Sequence, residues 1–458
     1  MNARLAAGVS SAALLMLAAL TWILVRAGER PTASVTILVL LMVMWAVFAF
    51  AAYTVLRAPK RLAIWLILGG GAVLQVVAMT APPQTSTDYY RYAWDGRVQA
   101  AGINPYEYAP IDPALADLRD PWLFPDGRTC PEDGVEQECP LMNRPTVNTI
   151  YPPVSQVYFF VVEKLSPSGS QALPLQFAAG LMGVGVTVAL IVIARARGSD
   201  PRRAVLWSWC PLVVVELGNN AHVDGLSSLL VVVALGLLAR PLALRTRDAV
   251  GGGVALGLAT ATKLLPAVLL PSVIKRRPIA VAVSFLLSIV VVYLPYVWSQ
   301  GLAVTGFLGG YTEEEAGGRY AILKLALPDF WVQPIAVVVL FGVALWALLK
   351  SDPLQPWLTG AATVGALFLV ITQSYQWYAL LLVPLIALGA HAVWFVVPIA
   401  MTFIYFEPDL KTGFQPYRGL IYLLAAVIVA GVLWYSRRRM LSGGSTNDLV
   451  EDVEVGSR

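Results

Sequence analysis

The stretch 62–97, LAIWLILGGGAVLQVVAMTAPPQTSTDYYRYAWDGR, decides how the chain is read. Its first half, to about residue 80, is one apolar run of the length that crosses the ~30 Å hydrocarbon core of a bilayer as a helix. Its second half changes character at once. Asp88 and Asp95 bring two carboxylates and Arg91 and Arg97 two guanidiniums, set among Tyr89, Tyr90, Tyr92 and Trp94. Gly102-Ile103-Asn104-Pro105-Tyr106 closes the segment, with Asn-Pro as a turn signal. Ionisable and aromatic groups therefore collect at the rim of a membrane domain.

The rest of the chain agrees with that reading. Of 458 residues 58% are hydrophobic and 13% charged, and the mean hydropathy is +0.69. A soluble chain would carry roughly a quarter charged residues. Apolar runs near spanning length recur from Leu5 to Trp434, so an all-α, polytopic helical membrane protein is expected. The segment Leu5 to Val25 reads as a retained first span rather than a cleaved leader. A net charge of +4, spread over short loops, offers no groove for nucleic acid.

The basic residues report topology instead. Clusters stand at Arg57/Lys60/Arg61, Arg195/Arg197/Arg202/Arg203, Arg240/Arg245/Arg247, Lys275/Arg276/Arg277 and Arg437/Arg438/Arg439. The positive-inside bias places them in the cytoplasm. Alternation then asks for roughly 14 transmembrane or half-spanning helices, at 5–25, 35–56, 62–80, 172–194, 204–218, 224–239, 249–262, 264–274, 279–297, 333–350, 354–372, 377–389, 392–406 and 418–435 (boundaries to about two to four residues). Both termini are cytoplasmic in this scheme. The polar regions 81–171, 219–224, 298–332 and 406–417 all fall on the outer face. Residues 1–440 form one membrane domain, and 441–458, rich in Gly, Ser, Asp and Glu, form a disordered cytoplasmic tail.

Residues 81–171 are the one outer stretch long enough for a small module. Cys130 and Cys139 lie in it and Cys210 in an apolar helix; outside the membrane the first two are expected to form a disulfide. Thr87 or Asp88 is placed to cap a helix running through Trp94. On that helix Asp88, Arg91, Tyr92 and Asp95 share a face. Two readings stand for the carboxylates. In one Asp88 caps the helix and Arg91 pairs with Asp95; in the other Asp88 is a general base, as a hydroxyl nucleophile requires.

Further polar groups interrupt apolar runs. Asn219-Asn220-Ala221-His222-Val223-Asp224 lies within such a run, where a central Asp costs about 2.5–3.5 kcal/mol, so a turn or a cavity is expected. His222 and Asp224 suit a metal-ligand pair, a phosphate-binding pair or a helix-capping pair. With His391 the only other histidine, a His-rich metal centre is excluded. Lys263 sits at a bend before Pro266, between runs too short to be two full spans, with Gly253 and Gly257 at a packing spacing. Its partner is either a phosphate or a carboxylate such as Asp224, unless it snorkels to the interface. Gln373, Tyr375, Gln376, Trp377 and Tyr378 make a polar-aromatic edge, belt or pocket. Glu313, Glu314 and Glu315 read as a solvated face, and Arg319 beside them as a phosphate contact.

Taken together these segments resemble the GT-C glycosyltransferases, in particular the polyprenyl-phosphate-mannose-dependent mannosyltransferases of the actinobacterial cell envelope. The resemblance is carried by Asp88-Tyr89-Tyr90-Arg91-Tyr92 with Trp94-Asp95-Gly96 and Asn104-Pro105-Tyr106, by Pro211 to Gly225 with Glu216-Leu217-Gly218-Asn219, by Gly257 to Pro266, and by Trp377-Tyr378 with Pro384. It implies an inverting transfer of a sugar, mannose first, from a polyprenyl-phosphate donor to an envelope glycan or glycolipid. The site is then extracytoplasmic, at the plasma membrane, with no cofactor and no divalent metal. Asp88 matches the first-loop catalytic aspartate and is singled out over Asp95 as the base. His222, Asp224 and Lys263 serve the donor, Arg91 and Asp95 position the base or bind sugar, and Tyr92, Asn220, Arg319, Tyr375 and Trp377 bind substrate.

Two departures mark this chain. Asp88 follows the third apolar segment rather than the first, and Asn220-Ala221 stands where a glycine is expected before His222. Arabinose or glucose in place of mannose is the nearest alternative. A lipid-linked sugar flippase or transporter is the alternative of another class, although transporters place charges in repeat-related positions near the midplane, and here they gather on one side.

Overall fold

The computed structural model describes residues 3–27, 33–125, 140–306, 318–406 and 416–443. Helix is the regular secondary structure among those residues, joined by turns and loops, and no strand occurs among them. Among the described residues seven helices are long and apolar enough to cross a membrane. In chain order the principal helices are α1 (Ala3–Leu24), α2 (Ala33–Val55), α3 (Lys60–Ala78), α4 (Asp88–Ala100), α5 (Pro153–Leu165), α6 (Leu173–Ala196), α7 (Asp224–Leu238), α8 (Thr246–Thr260), α9 (Pro278–Gln300), α10 (Asp329–Lys350), α11 (Pro356–Ile371), α12 (Val396–Phe406) and α13 (Pro416–Gly443). The seven long ones are α1, α2, α3, α6, α9, α10 and α13; α7, α11 and α12 are shorter apolar pieces.

The chain is thus a polytopic helical membrane protein; against the expected roughly 14 crossings or half-crossings, the described residues give seven long spans and several shorter apolar helices. The expected span 204–218 is not one helix. It breaks into Val205–Ser208, Pro211–Val213 and a π-turn, Val214–Asn219. Pro211 lacks the N–H that would continue the ladder, which accounts for the first break. The expected 264–274 piece is likewise a 3-10 turn, Leu265–Leu269, followed by one helical turn, because Pro266 and Pro271 each start a new turn. The first of these broken elements, 205–219, is buried in the bundle, where neighbouring elements can satisfy its backbone, and the second is partly buried.

Helix faces sort by neighbour. On α9 Ile279, Val283, Leu286, Leu287, Val290 and Leu294 are all exposed, an apolar face that only lipid covers well. The opposite face packs on α8 without space for a side chain. A Cβ on Gly253 would stand 2.6 Å from the Val281 carbonyl oxygen, and one on Gly257 2.5 Å from that of Phe285.

The two ends of the bundle differ in chemistry. At one, the basic clusters tie the chain together through backbone carbonyls. Arg202 donates to Ala58 O, Arg203 to Ile386 O, Lys275 to Ser351 O and Arg277 to Leu244 O. At the other lies the 81–171 region, where α4 and α5 pack together. Its own small core joins Trp94, Val98, Leu115, Leu123, Phe124 and Met142. Residues 126–139, with Cys130 and Cys139, lie outside the described residues, as do Glu313 to Glu315 and 444–458. Cys210 is buried with a free thiol.

Candidate active site

A cavity of about 510 Å³ opens at the 81–171 end. One wall is the start of α4, with Ser86, Thr87, Asp88 and Arg91. A second is the loop from Asn143 to Tyr151, and a third is aromatic, made of Tyr375, Trp377, Tyr378 and Tyr405, with Lys263 at its edge.

Asp88 is the first residue of α4. Thr87 occupies the cap position but its side chain accepts no capping bond. The Asp88 backbone N–H donates to Ser86 Oγ at 3.2 Å instead. The Asp88 carboxylate is therefore free of capping duty, and it sits in the first turn, where the helix dipole favours a negative charge. It accepts from Asn143 Nδ2 at 3.1 Å and retains 14% exposure to the cavity.

Asp95, seven residues on, has a different fate. It is 2% exposed, paired with Arg91 Nε at 2.9 Å, and accepts from Thr149 Oγ1 at 2.6 Å and Gln156 Nε2 at 2.8 Å. Arg91 Nη1 also donates to the Val147 carbonyl at 3.1 Å. The pair fastens the 143–151 loop onto α4. Arg91 reaches the cavity, and Asp95 does not.

The polar turn expected at 219–224 holds the chain that leads to Asp88. Asn219 Nδ2 donates to the carbonyls of Ala78, Ala81 and Pro82, and its Oδ1 accepts from Gln84 N–H. Asn220 accepts from Thr85 N–H and donates to Thr85 Oγ1. Gln176 and Tyr405 each donate to a carbonyl of the same strap, at Ala81 and Thr85. Ala221 has φ +61°. The residue standing where glycine was expected is thus the one in the left-handed region, at a cost of roughly 1–2 kcal/mol to a residue with a Cβ.

His222 is fully buried behind the cavity wall. Its Nδ1 lies 3.3 Å from Tyr92 Oη and 3.9 Å from Asp88 Oδ2. The ring stacks on Trp377 at 4.3 Å and 22°. Its Nε2 stands 3.1 Å from Glu216 Oε2, off the line of a hydrogen bond. Burial holds the phenols of Tyr92 and Tyr151 well above the ordinary tyrosine range, so both remain protonated donors.

Lys263 lies in the turn after α8. Val154 N–H and Ser155 Oγ bind that turn at Ala261 O and Thr262 O. Its ammonium is 3.3 Å from Asp224 Oδ2 and faces the rings of Tyr151 at 5.2 Å and Tyr378 at 5.5 Å. It is 13% exposed, toward the cavity, so it does not snorkel away.

Of the residues expected from sequence, Asp88, Arg91, Lys263, Tyr375 and Trp377 line one cavity. Tyr92, Asp95, Asn220, His222 and Asp224 lie behind its wall, each bonded to the residues named above. Arg319, half-buried, is not in the lining. Sequence reading assigned no site role to Asn143, Arg144, Tyr405 or Glu216. Asn143 and Arg144 carry no pattern signal within a loop. Glu216, a lone carboxylate in an apolar run, is the one that charge in a membrane segment would have flagged. Among the described residues no three His, Cys, Asp or Glu side chains gather to hold a metal ion.

A polar, aromatic-walled cavity with a carboxylate and an ammonium, set on a helical membrane bundle, fits sugar transfer as a class. Residues 149–373, a little under half of the chain, match the model of Glycosyltransferase family 87. Over that span the chain is similar to a glycosyltransferase family, which supports a membrane glycosyltransferase. No curated protein and no solved structure matches the chain. The matched span holds Glu216, His222, Asp224 and Lys263; Asp88 lies before it and Trp377 after it.

Proposed function

We propose that the protein is an inverting membrane glycosyltransferase that moves a sugar, mannose on the resemblance, from a polyprenyl-phosphate donor to an extracytoplasmic envelope glycan or glycolipid. One observation carries this reading: the Asp88 carboxylate and the Lys263 ammonium face the same cavity, one wall of which is aromatic.

The chemistry follows from those charges. Asp88 takes the proton of the acceptor hydroxyl as its oxygen bonds the anomeric carbon. The bond from that carbon to the phosphate oxygen breaks, and the phosphate leaves with the electron pair. Lys263, with Arg144 on the loop wall, stabilises the charge that develops there. Because Asp224 already pairs with Lys263, the ammonium keeps its orientation between turnovers. The faces of Tyr375, Trp377 and Tyr378 supply apolar area for the C–H side of a sugar. In this reading no divalent ion takes part, and the rate with EDTA equals the rate without it.

The test is transfer by the purified protein from a panel of polyprenyl-phosphate sugars, with Asp88→Asn beside the natural chain. The variant is expected to elute and insert normally and to lose on the order of 10²–10⁴ in rate. Most activity surviving in Asp88→Asn removes it from the base role, and no transfer by the natural chain from any such donor overturns the reading.

A further inference from the structure

Glu216 is a fully buried carboxylate that the transfer chemistry above leaves unused. A charge removed from water needs partners, and the fold supplies two hydrogen-bond donors and one close imidazole contact. Gln376 Nε2 donates to Oε1, Asn220 Nδ2 donates to Oε2 at 3.0 Å, and His222 Nε2 stands 3.1 Å from Oε2. The π-turn Val214–Asn219 creates this arrangement, since the wider turn moves a side chain off the ordinary helical register, as such turns do near functional sites. The backbone locks it as well, with His222 N–H donating to the Glu216 carbonyl at 2.9 Å.

We infer that Glu216 is a positioning residue, holding the His222 imidazole with Nδ1 turned toward Asp88. This rests on Asp88 as the base. The Glu216 carboxylate, 3.1 Å from Nε2 though off the line of a hydrogen bond, favours the proton on that nitrogen by its charge, as carboxylates do toward functional histidines elsewhere. Nδ1 is then left facing the Tyr92 phenol at 3.3 Å and the Asp88 carboxylate at 3.9 Å. Trp377, stacked on the ring at 4.3 Å, prevents it from tipping out of that line. Glu216, His222 and Asp88 thus form a buried row whose last member opens into the cavity.

Two measurements on Glu216→Gln, which removes the charge and keeps the shape, test this in the full-length protein. The first is a double-mutant cycle with His222→Ala, read as kcat and donor KM. Glu216→Gln alone is expected to lower kcat about 10–100-fold with little change in KM, and to lower it no further when His222 is already alanine. Losses that multiply, a loss confined to KM, or full kcat in Glu216→Gln overturn the inference. The second does not use activity. The chain has two histidines, so ¹⁵N-imidazole spectra resolve His222, assigned through His222→Ala. Its Nε2 is expected to carry the proton in the natural chain, with a changed tautomer or protonation pattern in Glu216→Gln. An identical His222 spectrum in both proteins overturns the inference, even if the transfer assay itself fails. A natural chain inactive with every polyprenyl-phosphate sugar while the spectrum changes as expected counts against the transfer reading and leaves the Glu216–His222 link standing.

Discussion

Asp88 and Asp95 show how one helix gives two identical side chains opposite environments. Asp95 is satisfied by Arg91, Thr149 and Gln156, so Asp95→Asn breaks a buried pair and is expected to cost about 3–5 kcal/mol, read as a fall in Tm. Asp88→Asn, at the cavity, is expected to leave Tm near its natural value and remove activity. The contrast between the two variants separates support from chemistry. Asp224→Asn belongs with Asp95, because it leaves the Lys263 ammonium without the carboxylate 3.3 Å away. Ala221 is a third kind of case. Its left-handed backbone means that Ala221→Gly is expected to change stability by less than about 1 kcal/mol, strain relief offsetting the entropy that glycine adds to the unfolded chain. Ala221→Val is expected to destabilise clearly in the same thermal melt.

The elements that matter most are those that break the helix pattern. Asn219 makes three hydrogen bonds to the strap between α3 and α4 and a fourth to Ala78 at the end of α3, and the strap itself is not helical. Asn219→Ala is expected to lower kcat while the cavity side chains remain as they are, and limited proteolysis should cut between residues 80 and 87 faster than in the natural chain. Unchanged proteolysis would mean that Gln176, Asn220 and Tyr405 hold the strap without it. The α8–α9 contact is a packing case. Gly257→Ala places a methyl group 2.5 Å from a backbone oxygen and is expected to cost about 1–3 kcal/mol through forced separation of the helices.

Across the whole molecule, Lys and Arg side chains tie loops together at one end, and the cavity opens at the other. On the positive-inside bias the basic end is expected in the cytoplasm and the cavity outside. In a chain with Cys130 and Cys139 changed to serine, Ala101→Cys is expected to react with an impermeant maleimide in intact cells, and Arg61→Cys only after lysis. Both side chains are exposed, and the reverse pattern would invert the topology.

Much of the cavity lining, the candidate site, was legible because membranes make charge conspicuous: Asp88, Arg91 and Lys263 stand out wherever their neighbours are apolar. The same rule flags Glu216, yet a single carboxylate in an apolar run does not reveal its partner. Composition and hydropathy by themselves determined a helical membrane bundle, the positions of its long spans, and a polar segment after the third of them. Only the tertiary structure decided that Asp95 is used up in support, that Arg319 stays out of the lining, and that Glu216 meets His222 behind Asp88. The physical reason is the range of the forces. Burial of an apolar side chain is set by its own periodicity along the chain, whereas a hydrogen bond between residues 92 and 222 depends on how separate helices pack to within a few tenths of an ångström.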